Sequence, residues 1–211
     1  MAGLPAKSPF TWLIGLGLAG LTLAVLLFWT ALQGSRAPLP VYGQVADFGG
    51  LTNQLGAPIS LENLRGQVWV ADVIFSRCPM ACPGMTLRMG ELQVALPPKA
   101  QVKLLSLTTD PENDTPAVLK RYAEQFGANP DRWWLLTGPE DKVRHALTNS
   151  LKLSAIETPP ALRTNQFDLY THSTLFVVVD KQSRIRAAIE SSEPGWKKRI
   201  LHDINRLLHE G

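Results

Sequence analysis

The chain has 211 residues, of which 45% are hydrophobic, so it can hold one ordinary domain with a sizeable core plus an appendage. The net charge is only +3, and no dense Lys/Arg run occurs, which excludes a protein that binds nucleic acid through a basic patch. The two cysteines are too few and too close together for a disulfide-stapled scaffold, and they indicate chemistry at one site.

The first element along the chain is an apolar run without charge, from Phe10 to Leu32. Roughly 20 apolar residues in a helix cross the hydrocarbon layer of a membrane. Trp12 and Trp29 lie near the two ends of the run, where interfacial aromatic residues belong. A cleaved signal peptide is the alternative, but its apolar region spans about 7–15 residues and ends at a small-x-small site. The run therefore predicts a retained anchor.

The charges around this run favour one orientation. Lys7 and the α-amine precede it, whereas Arg36 and then Asp47 follow it, which slightly favours an N-terminus inside and a domain outside. We therefore expect a single-pass protein of the bacterial inner membrane whose soluble domain faces the periplasm. The predicted organisation is a short cytoplasmic N-terminus (1–9), a transmembrane anchor (10–33), a linker leading into the domain (34–47) and a soluble domain (48–211).

The soluble part alternates strand and helix signals. Apolar runs predict strands at Val68–Phe75, Val102–Thr108, Thr174–Val179 and Arg184–Ile189, the last two joined as a hairpin. Helical spacing predicts helices around Met85–Leu96, Pro116–Phe126, Val143–Leu151 and Trp196–Leu207. Thr115 followed by Pro116 is typical of a helix start, and Gly127 of a helix end. This order predicts a mixed α/β sheet flanked by helices, whereas the stretch 152–168 shows no clear periodicity.

The cysteines Cys78 and Cys82 lie between a predicted buried strand and a predicted helix. Active residues gather at this place, the carboxyl end of strands in open α/β sheets. Four-residue spacing brings both sulfurs to one face of a helical turn. A helix N-terminus and the neighbouring Arg77 are expected to favour the thiolate, which binds metals and attacks disulfides. An inert short-range disulfide is the structural alternative, although so small a loop stabilises little.

Thiolate sulfur is a soft ligand that suits Cu(I), zinc or iron–sulfur clusters. Structural zinc sites and clusters usually need four protein ligands, whereas this chain has two cysteines. Two sulfurs and one imidazole would make a three-coordinate site for Cu(I) that can also serve Cu(II). His172 is the best-placed histidine, because it stands just before the strand predicted at Thr174–Val179. A partly buried structural histidine is the alternative.

Apart from Met1, the methionines fall within or just after the cysteine segment, at Met80, Met85 and Met89. One interpretation is flexible filling of the core on a helix face. The other is that Met80 offers a thioether to a passing Cu(I) ion. The sequence leaves both interpretations open.

Three motifs in order resemble those of the Sco/SenC family. Cys78–Pro83 (CPMACP) resembles the family's CPxxCP motif, Asp110–Thr115 (DPENDT) its DPxxDT loop, and Asp168–Ser173 (DLYTHS) the segment with its ligand histidine. The resemblance covers the chain from about Phe48 to the C-terminus. One departure is Met80, since the family often has Asp after the first Cys-Pro. This departure bears on the surface that faces a partner and leaves both sulfurs in place.

The resemblance implies a thioredoxin-like fold and copper bound by Cys78, Cys82 and His172. Family members deliver copper to the dinuclear copper centre of cytochrome c oxidase, or keep the cysteines of that centre reduced. The expected partners are the copper-centre subunit and an upstream copper donor or thiol reductant, with no nucleic acid. For the loop Asp110–Thr115, the residues alone predict a turn and a helix start, and contact of Asp110 or Asp114 with a partner is a further hypothesis.

Two functions follow, and a metallochaperone is favoured over an enzyme. A copper chaperone needs a site that holds the metal and releases it, with His172 as the releasable ligand. A thiol–disulfide oxidoreductase needs only Cys78 as attacking thiol and Cys82 as resolving thiol. A peroxidase of the peroxiredoxin kind is disfavoured, because such enzymes carry Thr three residues before the reactive cysteine, where this chain has Phe75.

Overall fold

The computed structural model describes residues 18, 20–30, 38–78, 81–153, 155–157, 161 and 170–210. The chain divides into two compact units, Met1–Pro38 and Leu39–Gly211. In the first unit, residues 20–30 form helix α1, and its large apolar side chains are exposed. Within the ranges given above, no helix is both long enough and apolar enough to cross a membrane. Much of the predicted anchor, 10–33, lies outside the described residues.

The second unit is built on an eight-stranded mixed sheet. Its strands, in spatial order, are β1 (Gly43–Gln44), β10 (Arg184–Glu190), β9 (Leu175–Val179), β4 (Val68–Ile74), β5 (Val102–Thr108), β6 (Trp133–Thr137), β2 (Leu51–Asn53) and β3 (Pro58–Ile59). A separate antiparallel pair joins β7 (Ala155–Glu157) to β8 (Tyr170–His172). The helices are α2 (Ala81–Ala95), α3 (Pro116–Gln125), α4 (Glu140–Arg144), which continues as a π-helix over His145–Ser150, and α5 (Trp196–His209), with a 3₁₀ turn at Leu61–Leu64.

The centre of the sheet brings three strand ends to one edge. Strands β4 and β5 are parallel and pair in register from Val68–Val102 to Ile74–Thr108, so both end at the same edge. Strand β9 runs antiparallel to β4, with Ala71 opposite Val177, so β9 begins at that edge. The site edge, as we call it, therefore joins the carboxyl ends of β4 and β5 to the amino end of β9.

Both faces of the sheet are covered, because every residue of β4 is buried. Alternate side chains of a strand point to opposite faces, so β4 contributes to two cores. On one face Val70 and Ile74 belong to the cluster that includes Met85 and Met89 of α2 and Ile200 of α5. On the other face, residues that include Trp69, Ala71 and Val73 belong to a cluster with Leu147 and Leu151. The expected mixed α/β sheet flanked by helices is confirmed.

A buried arginine fastens the start of this unit to its end. Arg186 on β10 is 2% exposed; its Nη1 lies 2.7 Å from Asp180 Oδ2 and its Nη2 2.7 Å from Glu210 Oε2. The same guanidinium donates to the carbonyl oxygens of Leu39 and Pro40. Burial works to raise the pKa of Asp180, but hydrogen bonds from the Arg184 backbone and from Arg186 outweigh it and hold that pKa below its ordinary value.

Most predicted elements are present at or near their predicted bounds, and several differences are informative. The strand at Val102–Thr108 and the β9–β10 hairpin are confirmed, and Thr115 caps α3 by accepting a hydrogen bond from Val118 N. Strand β6 was not predicted, and β7 lies in the stretch 152–168 that showed no periodicity. The strand predicted from Thr174 begins at Leu175, and His172 ends a separate short strand, β8.

Candidate metal and thiol site

The two cysteines flank the turn that connects β4 to α2. The Cys78 amide donates to the Phe75 carbonyl oxygen at 3.2 Å, which closes a turn directly after the strand. Helix α2 begins at Ala81, and the Cys82 amide in its first turn donates to Cys78 Sγ at 3.5 Å. Cys78 and Cys82 are therefore in contact, and neither is in a disulfide.

The two thiols differ in environment. Cys82 is fully buried in the core between α2 and the sheet, whereas Cys78 is half-buried at its margin. The hydrogen bond to Cys78 and then burial raise the pKa of the Cys82 thiol far above its usual range. The expectation that the thiolate is favoured does not hold for Cys82, because the hydrogen bond with Cys78 and then burial both favour its neutral thiol. Metal binding at Cys82 must release its proton.

Arg77, the residue before Cys78, pairs with the aspartate Asp110. Its guanidinium forms an ion pair with Asp110, with Nη2 2.6 Å from Oδ2, and its Nε donates to the same oxygen at 3.1 Å. Asp110 is 4% exposed and Asp114 is fully buried, so these two carboxylates face the interior of the protein next to the site edge. The hypothesis that Asp110 or Asp114 contacts a partner is contradicted by this burial.

His172 lies near the site edge because it precedes the start of β9 in the chain. Its backbone lies on β8 opposite Ala155, three residues before β9 begins. Three residues span at most about 10 Å, so the backbone of His172 is tied to the edge from which Cys78 leaves. The His172 side chain, Pro79 and Met80 lie outside the described residues. Among the side chains that are described, no group of three or more His, Cys, Asp or Glu residues is arranged to hold a metal ion.

Thr86 and Tyr122 support Cys82 and were not singled out from the sequence as site residues. Thr86 Oγ1 donates to the Cys82 carbonyl oxygen at 2.8 Å, and it lies 2.8 Å from Tyr122 Oη on α3. Because the one hydroxyl hydrogen of Thr86 goes to the Cys82 carbonyl oxygen, the Tyr122 hydroxyl donates to Thr86, and burial raises the pKa of that hydroxyl. The available signal was the four-residue spacing of Cys82 and Thr86 on one helix, since a threonine there can bond the carbonyl one turn back.

Comparisons with known proteins identify the family. The SCO1/SenC family model matches residues 44–209. The SCO1 protein homolog of Bacillus subtilis is 42% identical over 123 residues, which are 56% of this chain and 62% of that protein. The chain covers 49% and 46% of the two yeast mitochondrial relatives, Sco2 and Sco1, so it spans about half the length of these relatives.

Solved structures share the fold as well. BsSco, described as a member of the Sco family of cytochrome c oxidase assembly proteins with a disulfide switch, matches with a TM-score of 0.69 and 28% identity over 82% of this chain and 99% of that one. Yeast Sco1 with copper bound matches with a TM-score of 0.61 and 28% identity over 76% of this chain and 88% of that one. The chain belongs to the SCO1/SenC family.

Proposed function

We propose that this chain is a membrane-anchored copper chaperone that binds copper, its cargo, through Cys78, Cys82 and His172. The observation that carries the proposal is the paired thiols at the site edge, with the Cys82 amide 3.5 Å from Cys78 Sγ. Two soft sulfur ligands four residues apart suit Cu(I), and an imidazole would complete a three-coordinate site. The relatives with copper bound, such as yeast Sco1, support the same cargo.

The arrangement suits a metal that must be both held and released. Cys82 is buried in the core, whereas Cys78 is half-buried, so one side of the site is open to an acceptor. His172 belongs to the small β7–β8 sheet rather than to the main one, which makes it the ligand that is least tied to the core. Release would then begin with His172, since protonation of an imidazole competes with metal.

The proposed acceptor is the subunit of cytochrome c oxidase that carries the dinuclear copper centre. Support comes from membership of the SCO1/SenC family and from BsSco, a member of the Sco family of cytochrome c oxidase assembly proteins. The apolar run Phe10–Leu32 supports an anchor in a bacterial inner membrane with the domain in the periplasm. Release of the chain from membranes by alkaline carbonate would contradict the anchor.

The test is a titration of the reduced full-length chain with Cu(I) against a competing chelator. We expect one copper ion per chain. We expect His172→Ala to weaken copper binding by at least about 10-fold, because mutating a residue that merely supports a metal ligand already costs about that much affinity. His202→Ala is the matched control, because His202 is exposed on α5. Binding that is indifferent to His172 would refute the three-ligand site.

The second candidate function is thiol–disulfide exchange, and the asymmetric burial of the two cysteines favours it. The half-buried Cys78 thiolate would attack a partner disulfide, forming a mixed disulfide and releasing one partner thiol. Cys82, after losing its proton, would attack Cys78 Sγ and release the second partner thiol, so two electrons pass to the partner as the Cys78–Cys82 disulfide forms. This activity does not use His172, so His172→Ala would spare it while weakening copper binding.

A further inference from the structure

The DPxxDT loop, residues Asp110–Thr115, has no part in the proposed metal site, yet its second aspartate has an unusual environment. Asp114 is fully buried and accepts hydrogen bonds from two separate strand ends. Its Oδ2 accepts from Thr108 Oγ1, at the end of β5, and from the Ser76 amide at 3.1 Å, just after β4. Its Oδ1 accepts from Ser76 Oγ and from Asn113 Nδ2. One carboxylate therefore joins the ends of β4 and β5.

The other aspartate of the loop holds the next residue of the same turn. Asp110 accepts from Arg77 Nε and Nη2, and its own amide donates to Thr108 Oγ1 at 2.9 Å. Ser76 and Arg77, the two residues before Cys78, are thus each held by one aspartate. Asp114 itself is fully buried and its contacts to Ser76 are part-buried, whereas Arg77, the partner of Asp110, is 47% exposed, so Asp114 provides the stronger restraint.

The turn restrained in this way determines where Cys78 Sγ lies. The Cys78 backbone N–H closes the turn by donating a hydrogen bond to the Phe75 carbonyl oxygen, and the Cys78 sulfur accepts a hydrogen bond from the Cys82 backbone N–H. Cys82 is held separately, through Thr86 and Tyr122. The separation of the two sulfurs therefore depends on two supports, and the Asp114 contacts to Ser76 are the support on the Cys78 side.

We propose that Asp114 is a positioning residue that fixes the Ser76–Cys78 turn and thereby holds the Cys78 sulfur next to that of Cys82. It acts through its hydrogen bonds to Ser76. The inference rests on the proposed function only in taking this pair as the working site, because the geometry it describes belongs to the metal-free dithiol. Replacement of Asp114 should loosen the turn and lower the effective concentration of one sulfur at the other.

Asp114→Asn is the informative variant because it keeps the shape and changes the hydrogen-bonding pattern. Both carboxylate oxygens of Asp114 accept hydrogen bonds, one of them from the Ser76 backbone N–H. The side chain of Asn has only one acceptor oxygen, and its NH₂ group would face donors that the carboxylate accepts from. Asp180→Asn is the matched control, since Asp180 is equally buried and bonded to several donors but lies at the β9–β10 turn. Both variants should lose stability, and only Asp114→Asn should disturb the cysteine pair.

Two measurements on the full-length chain separate positioning from stability. The first is the equilibrium of the metal-free Cys78–Cys82 pair with glutathione, for which Asp114→Asn should disfavour the disulfide by about 10-fold, or about 30 mV. The second is the Cu(I) affinity by chelator competition, which should fall by about 10-fold, as for other residues that orient metal ligands. Asp180→Asn should leave both within about 2-fold of wild type, in conditions where urea unfolding shows each variant to be folded.

Ser76→Ala keeps the inference testable if Asp114→Asn does not fold. It removes one hydroxyl donor and leaves the Ser76 amide, so we expect shifts of about 3-fold in the same directions, smaller than those of Asp114→Asn. The inference is overturned if Ser76→Ala or Asp114→Asn leaves the glutathione equilibrium unchanged, or if Asp180→Asn shifts it equally. If the wild-type chain binds no copper tightly, the proposed function fails, and the glutathione equilibrium alone decides this inference.

Discussion

Arg186 gives the sharpest stability prediction, because its guanidinium is 2% exposed and binds four groups from three parts of the chain. Arg186→Met fills similar volume and removes every donor. Asp180 would keep its hydrogen bonds from the Gln182 and Arg184 amides but lose its buried cation. Removing one partner of a buried ion pair costs about 3–5 kcal/mol, so we expect a loss of at least about 3 kcal/mol in the free energy of unfolding.

The assay is urea unfolding followed by tryptophan fluorescence, with thermal unfolding alongside. For a domain of this size a loss of 3 kcal/mol lowers Tm by about 6–12 °C. Arg184→Met is the matched control, because Arg184 also bonds Asp180 Oδ2 at 2.8 Å but is 37% exposed. An ion pair whose arginine is this exposed contributes up to about 1 kcal/mol. Equal losses in the two variants would refute the reasoning that burial, rather than the number of contacts, sets the cost.

Three further predictions concern single buried groups. Tyr122→Phe removes the hydroxyl that donates to Thr86, so unfolding free energy should fall by about 1 kcal/mol, as measured by urea unfolding; no change would mean that the hydroxyl is not a structural donor. Burial raises the pKa of Asp203, so this carboxyl binds a proton more tightly in the folded protein than in the unfolded chain. Its ionised form therefore destabilises the fold at neutral pH. Asp203→Asn should therefore raise Tm at pH 7 and lose this advantage below about pH 3.8, and a lower Tm at pH 7 would contradict it. Asp180 has the opposite sign: its lowered pKa stabilises the fold above about pH 3.8 and the benefit is lost as pH falls through the folded pKa, so acid unfolding of Asp180→Asn should be less steep than that of wild type.

The elements that the sequence predicted well are those with a local pattern. The largely apolar runs of β4 and β5 indicate strands buried on both faces, and the Thr115-Pro116 pair marks a helix start whichever partners the helix has. The place of Cys78 after a buried strand was likewise readable, because a turn and a helix follow within a few residues.

What could not be predicted depends on pairing between distant residues. Strand β6 contains Trp133, fully buried, beside a partly exposed Trp134, a short pattern that periodicity alone does not assign. The short strands β7 and β8 pair with each other, with Ala155 opposite His172, and such a pairing between separate segments leaves no local pattern. From the sequence, Asp114 marked only a helix start, because its partner Ser76 lies 38 residues away. Its burial became apparent only once β4 and β5 were placed side by side.

The order of strands in the sheet also bears on how the chain is made. Strand β4 lies between β5 and β9, and Trp69 pairs with Val179, 110 residues later in the chain. Sheets built on such distant contacts fold slowly, because the intervening loop must close first. Until a ribosome has released β9, one edge of the largely apolar β4 stays uncovered, and uncovered apolar edges promote aggregation. Nascent chains that stop before Leu175 should therefore depend on chaperones that cover this edge during synthesis.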